Sequence, residues 1–205
     1  MLAPSHEPIE SNEEKLQEAI ESIKEYIERD VKAGFMAPSE IVDHAIDVFY
    51  GEIDSELLKP DAEKILEKAL SDHLAAQADW PEVTDCDRLD DTFAQLKESG
   101  IAAVQDAICC STCAMEDVSA AIDTMRKEEM PVRGYTFFHE QDTEHAIQSG
   151  RFNLSYGYIE RDQEAAIKIG HEVKEALEKN GFKVEWDGTI RKRITVFIDW
   201  QRRRQ

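Results

Sequence analysis

Apolar positions in the first third of the chain recur at steps of three and four. From residue 12 to 33 the series Leu16, Ala19, Ile20, Ile23, Ile27 and Val31 marks one stripe of an amphipathic helix that stops at Gly34. A second helix is predicted from Ser39 to Tyr50, opened near Pro38 and closed by Gly51, with Ile41, Val42, Ala45, Ile46 and Phe49 on its apolar face. A third runs from Asp61 to Asp79 and turns Ile65, Leu66, Ala69, Leu70 and Leu74 inward. Residues 1–80 thus read as an N-terminal helical subdomain, ended by Trp80-Pro81.

Past that point the period changes. A helix from Asp87 to Ser99, carrying Leu89, Phe93 and Leu96, is followed by the strand-like run IAAVQDAI. Next come a helix in MEDVSAAIDTMRKEE with Val118, Ala121, Ile122 and Met125 on one side, a strand GYTFFH at 134–139 and a short helix in EQDTEHAIQ. A strand FNLSYGY at 152–158 and a helix over 162–180, with Ala166, Ile169, Val173 and Leu177 inward, lead to two alternating runs, FKVEW and ITVFIDW. A loop starting at Asp187-Gly188 joins these two as a hairpin. The predicted class is α+β: a mixed five-stranded sheet packed with helices over residues 81–205, preceded by the helical subdomain. The boundary near residue 80 has no flexible linker, so the two parts are expected to pack together.

Charge narrows the partners. The formal net charge is −20, from 24 basic and 44 acidic residues. Residues 1–80 carry 7 basic and 20 acidic side chains, 81–150 carry 5 and 15, and 151–205 carry 12 and 9. Such a surface repels phosphate backbones and anionic lipid, which argues against nucleic acid and membrane and leaves two readings of the charge, plain solubility and a basic protein partner. No apolar run is long enough to span a bilayer, and the first residues have neither a basic region nor an apolar core of a signal peptide. A cytoplasmic location is expected, with reduced cysteines. The terminal QRRRQ reads as a solvated tail.

Three of the four cysteines, Cys109, Cys110 and Cys113, fall in the pentapeptide CCSTC where a strand hands over to a helix. A helix of about 13 residues followed by a returning strand returns the chain to the same end, which places Cys86 near them. If GYTFFH then runs parallel to the preceding strand, His139, Glu140 and Asp142 reach that edge as well, where open sheets tend to bind ligands. Three alternatives stay open. Zinc needs four nitrogen or sulfur ligands, and Cys110-x-x-Cys113 is a chelating pair that Cys86, Cys109 or His139 can complete. Thiol redox chemistry would use Cys110 as attacking and Cys113 as resolving thiol at a helix N-terminus, although the tryptophan, glycine and proline of thioredoxin-type sites are missing. Simple burial is the third, because cysteine packs readily.

Other devices are absent. HEQDTEH lacks the HExxH spacing, since Thr143 stands four residues after His139, and its acids are expected to cap the short helix. Thr84, Asp85 and Asp87 in TDCDRLDDTF read the same way. There is no GxxxxGK[ST], GxGxxG or GxSxG. Trp80, Trp186 and Trp200 are expected to pack.

The ordered set TDCDRL, the GI pair at 100–101, CCSTC, GYTFFHEQDTEHA, LSYG and VEWDG resembles an uncharacterised family of bacterial proteins, a domain of unknown function. The resemblance covers most of the chain and implies a stand-alone bacterial, cytosolic protein with no assigned activity or cofactor. It also implies a glycine after the last cysteine; Ala114 stands there, which argues against a tight zinc-knuckle turn. The function expected is a non-enzymatic binding or accessory protein with a cysteine-rich edge that can take zinc. The alternatives are a thiol-redox enzyme using Cys110 and Cys113, and an acidic immunity-type protein that masks a basic toxin.

Overall fold

The computed structural model describes residues 12–108, 113–160 and 162–204. The chain divides into two compact units, Met1–Ala78 and Asp79–Gln205.

The first unit is three helices, α1 (Asn12–Ala33), α2 (Pro38–Asp47) and α3 (Ser55–Gln77), with α1 packed along α3 and α2 against both. Its core is built by Ala19, Ile23, Ile27 and Val31 of α1, Ile41, Val42, Ala45 and Ile46 of α2, and Leu58, Ala62 and Leu66 of α3. Each fully buried aliphatic side chain here contributes about 1.5–3 kcal/mol of transfer free energy. Two expectations are corrected in α3. It begins at Ser55, where the Asp54 carboxylate accepts from Glu56 N–H at 3.1 Å, and it runs through Pro60 instead of starting after it. Pro60 lacks the N–H that would reach the Glu56 carbonyl, but both residues are exposed, so water can take that carbonyl and the helix continues. The longer helix carries its buried line through Leu58, Ala62, Leu66 and His73, leaving Leu74 half exposed on the outside. A buried carboxylate, Asp30, ties α1 to α2 by accepting from Arg29 Nε and facing His44 Nδ1, each at 2.8 Å.

The second unit is a mixed five-stranded sheet with helices on both faces. Its elements are α4 (Asp85–Glu98), β1 (Ile101–Ala107), α5 (Ala114–Lys127), β2 (Gly134–His139), α6 (Glu140–Ser149), β3 (Arg151–Tyr158), α7 (Gln163–Lys179), β4 (Lys183–Glu185) and β5 (Ile194–Phe197). The strand order is β1-β2-β3-β5-β4, with β1 and β2 parallel and every other pair antiparallel. Alternation along β2 and β3 sorts the faces. Phe138 meets Phe93 of α4 at 5.7 Å and Phe152 of β3 at 4.8 Å between ring centroids, so these residues fill the face under α4. Gly134 shares that face, and a Cβ on it would come within 2.7 Å of two Ile169 carbons of α7. The opposite face sets Phe137 and Val104 against Ala114 and Val118 of α5.

Gly170 of α7 lets Trp186 and Tyr156 close over the helix, since a Cβ there would sit 2.8 Å from the Trp186 ring and 2.9 Å from that of Tyr156. The Trp186 indole N–H and the Tyr156 hydroxyl both donate to the carbonyls of Thr189 and Lys192, which fastens the loop between β4 and β5. The LSYG and VEWDG motifs thus pack this corner, and Trp200 likewise stands edge-on to Phe138 at 6.3 Å. Among the described residues, no helix is long and apolar enough to cross a membrane.

The C-terminal segment departs from expectation. Arg202 and Arg203 are docked on the acidic start of α4 instead of forming a free tail, with Arg202 forked onto Asp90 at 2.9 and 3.0 Å and donating to Gln105 at 3.1 Å. Arg203 reaches Asp87 at 2.6 Å, and Asp199 N–H donates to Asp85 at 3.0 Å.

Candidate functional site

Two acid-rich helix starts frame the chemistry of the second unit. At the first, Thr84 caps α4: its hydroxyl accepts from Asp87 N–H at 3.2 Å while Thr84 N–H donates to the Asp87 carboxylate at 2.7 Å. Burial works against the Asp87 anion, yet the Thr84 N–H, the Thr84 hydroxyl that donates to the same carboxylate at 3.0 Å and the Arg203 guanidinium outweigh it and hold its pKa below the ordinary carboxylate range. Cys86 lies in the first turn of α4, not ahead of it, and is 1% exposed. Burial drives its thiol pKa to about 12, against the opposing pull of Arg202 and the Gln201 backbone. Cys86 is therefore a protonated, packed thiol beside the C-terminal segment.

At the second, the parallel pairing of β1 with β2 brings Ala107 opposite His139. His139 thus stands at the strand edge from which the cysteine segment departs. The ladder is irregular between Val104 and Ala107, and Asp106 takes a left-handed backbone with φ of 52°. Its carboxylate accepts from the Thr143 hydroxyl of α6, and Ile108 N–H donates to Asp117 of α5 at 2.9 Å. Those bonds offset the strain of a non-glycine residue in that region.

His139 is the N-cap of α6, and Asp142, three residues on, accepts from His139 N–H at 3.2 Å and faces His139 Nε2 at 3.2 Å. Asp142 is only 2% exposed and is also gripped by Arg193 Nη2, which donates in addition to the Asn153 carbonyl. His139 Nδ1 and Arg193 Nε are buried without a hydrogen-bond partner among the described residues. Burial lowers the His139 pKa below its ordinary 6.5, Asp142 pulls the other way, and Arg193 adds to the lowering. An imidazole held towards its neutral form, with a carboxylate at one nitrogen and no hydrogen bond at the other, has the electronic state of a base or of a metal ligand, and here that second nitrogen is buried.

Of the sequence-predicted metal candidates, Cys86 is sealed in α4, His139 is in this ring, and Cys113 is exposed at the N-cap position of α5. Cys109 and Cys110 lie outside the described residues, and with them half of the Cys110–Cys113 redox pair. Among the described residues, no three His, Cys, Asp or Glu side chains are grouped to hold a metal ion.

The family described as "Domain of unknown function (DUF6891)" matches residues 16–204, nearly the whole chain. The chain belongs to this family. The matched span holds both capped helix starts, the cysteine segment, the His139 ring and the docked arginines, in keeping with the motif-based resemblance to an uncharacterised domain. No curated protein and no solved structure matches the chain.

Sequence reasoning identified His139 and the caps but missed Arg193, Asn153 and the tail arginines as partners. The signal available for Arg193 was weak: it is the last of a basic triplet, Arg191-Lys192-Arg193, just before an alternating apolar run, and nothing local distinguishes it from its two neighbours.

Proposed function

We propose that this chain is a non-enzymatic binding or accessory protein of the bacterial cytoplasm that engages a basic protein. In this reading the helical subdomain, 1–80, carries the partner surface, and the α+β domain, 81–205, carries the cysteine edge.

One observation carries the proposal. Tyr50, in the turn between α2 and α3, is 90% exposed, while its neighbours Phe49 and Ile53 pack against the helical core. Val48 and Leu57 are half exposed beside it in sequence. Asp47, Glu52, Asp54 and Glu56 surround them with exposed carboxylates, and no basic residue falls between His44 and Lys59. A rigid amphipathic ring inside an acidic rim is the composition of an interface anchor, and the rim steers a positively charged partner towards it. A basic toxin masked by an immunity-type protein is one member of that partner class.

The test begins with affinity capture and proceeds to the purified captured protein. A basic partner whose binding weakens at least about tenfold in Tyr50→Ala, and falls as salt rises, supports the reading. Equal binding by Tyr50→Ala, an acidic partner, or a defined turnover by the purified metal-checked chain would overturn it.

Zinc at the cysteine edge is part of the same reading, supported by the parallel strands that bring His139 to the end where the CCSTC segment begins. Its ligands would come from Cys109, Cys110, Cys113 and His139, with Cys86 the least suited because its proton is so tightly held. Elemental analysis of protein purified without chelator or affinity metal decides this. Stoichiometric zinc that disappears in Cys110→Ser and Cys113→Ser supports it, and zinc-free folded protein removes it.

A further inference from the structure

On the α6 side of the sheet, a pocket of about 220 Å³ is lined by His145 and Ser149 of α6, Arg151 and Asn153 of β3, and Thr195 of β5. Local geometry explains the grouping. His145 and Ser149 are one helical turn apart, Arg151 and Asn153 share a strand face, and Asn153 pairs with Thr195 across the ladder.

Three features set this pocket apart. No carboxylate lines it, although the chain has 44 acidic residues against 24 basic ones. Arg151 has no carboxylate partner among the described residues, a condition it shares with Arg191 of the β4–β5 loop, whereas Arg29, Arg88, Arg126, Arg133, Arg193, Arg202 and Arg203 each have one. The lining polar groups are also held in fixed roles. The Thr195 hydroxyl donates to Asn153 Oδ1 at 2.8 Å, which leaves the Asn153 amide NH2 as a donor, and the Ser149 hydroxyl donates to the His145 carbonyl at 2.7 Å. The Asn153 carbonyl is gripped by Arg193, itself anchored on buried Asp142.

We propose that this pocket binds a small ligand through its phosphate group. Arg151 presents a guanidinium fork, Asn153 its amide NH2 and His145 its ring N–H, a donor set that exceeds what two carboxylate oxygens use and suits the several oxygens of a phosphate. Arg193, through Asn153, is a positioning residue and does not touch the ligand. The volume exceeds that of a phosphate ion, so the remainder would take a small organic portion. The site lies in a different unit from Tyr50 and stands or falls independently of the partner surface.

The experiment is a titration of the full chain with inorganic phosphate at constant ionic strength, followed by NMR of backbone amides, the Arg151 Nε–H and the Asn153 side-chain NH2. A saturable shift confined to residues 145–153 and the Thr195 region is expected. Arg151→Gln should weaken it about tenfold or more, the scale of one charge-assisted bond, and Arg191→Gln, an exposed arginine outside the pocket, should leave it unchanged. His145→Gln, on an exposed helix position, is a second variant that keeps the fold, and it should weaken binding less than Arg151→Gln. An unsaturable shift, one equal in Arg151→Gln, or an equally tight response to acetate would overturn the proposal.

Discussion

The starts of α4 and α6 use the same local device to different depths. In both, an aspartate three residues after the cap closes on the cap backbone, Asp87 on Thr84 and Asp142 on His139, and in both an arginine from the end of the chain seats on that aspartate. At α4 the pair is open to water, with the Asp87 side chain 39% and Arg203 34% exposed. At α6 the Asp142 side chain is 2% exposed and the capping histidine is buried with it. The two arginines are equally exposed, Arg193 at 33% and Arg203 at 34%, so the difference lies in the carboxylate: water can replace a lost partner of Asp87 at α4 but not one of Asp142 at α6.

The largest effect should come from removing the buried charge. Asp142→Asn leaves Arg193 facing no anion and puts a donor NH2 where one carboxylate oxygen stood, among the donors of His139 and Arg193, and a loss of about 2 kcal/mol or more in chemical denaturation is expected. If the loss stays below that of Asp87→Ala, the contrast between the two sites is wrong. The same ring predicts acid sensitivity. His139 is held below 6.5, so the folded state disfavours its protonation. Its contribution is present above the unfolded value and is lost as pH falls from about 6.5 through the folded value. Urea midpoints should therefore fall over that window and flatten in His139→Gln.

Next in size is the arginine fork on α4. Arg202→Ala removes a bidentate pair with Asp90, a bond to Gln105 and the contact of the guanidinium with the Trp200 ring at 5.6 Å, for about 1.5–2 kcal/mol. The loss should have a chemical signature, since Cys86 sits beside Gln201 and Arg202. Iodoacetamide should modify exposed Cys113 in the native wild type while sparing Cys86, and Cys86 should become reactive in Arg202→Ala. Unchanged protection would show that α4 alone seals the thiol. With the folded thiol near 12 and its ordinary value at 9.0, Cys86 favours the folded state below about pH 9, and that contribution fades as pH rises towards 12.

These comparisons also mark how far the sequence was legible. Helix periodicity located the core lines of α1, α2, α4 and α7, because residues three or four apart share a face wherever a helix forms. The turn from β1 through α5 to β2 was readable enough to bring His139 to the cysteine edge, given the parallel direction that the pairing supplies. What stayed hidden is non-local. Arg193 meets Asp142 across 51 positions, and Arg202 and Arg203 meet Asp90 and Asp87 across 112 and 116. No periodicity records such a contact, and a run of arginines at the end of a chain reads as solvated until the sheet places it beside α4. Asn153 escaped for the same reason, since its role depends on Thr195 across the β3–β5 ladder. In α3, the helix was read from Asp61 because its apolar stripe was counted from Ile65, and the earlier start at Ser55, capped by Asp54, went unread.

The smallest effects sharpen the comparison most, because they separate the cap from the salt bridge at a single site. Thr84→Ala removes the hydroxyl that accepts from Asp87 N–H and should cost about 1 kcal/mol. Arg203→Ala removes an ion pair whose two side chains are each about one-third exposed, and should cost no more than about 0.5 kcal/mol in low salt and less in high salt. The double variant should then be additive to within about 0.5 kcal/mol if cap and pair act separately. They share the Asp87 carboxylate, however, which accepts from Thr84 and Arg203 at the same oxygen. Measurable coupling would mean that Arg203 stabilises α4 by holding Asp87 in its capping rotamer. The exposed site would then work as the buried one does, an arginine from the far end of the chain fixing the acid that starts the helix.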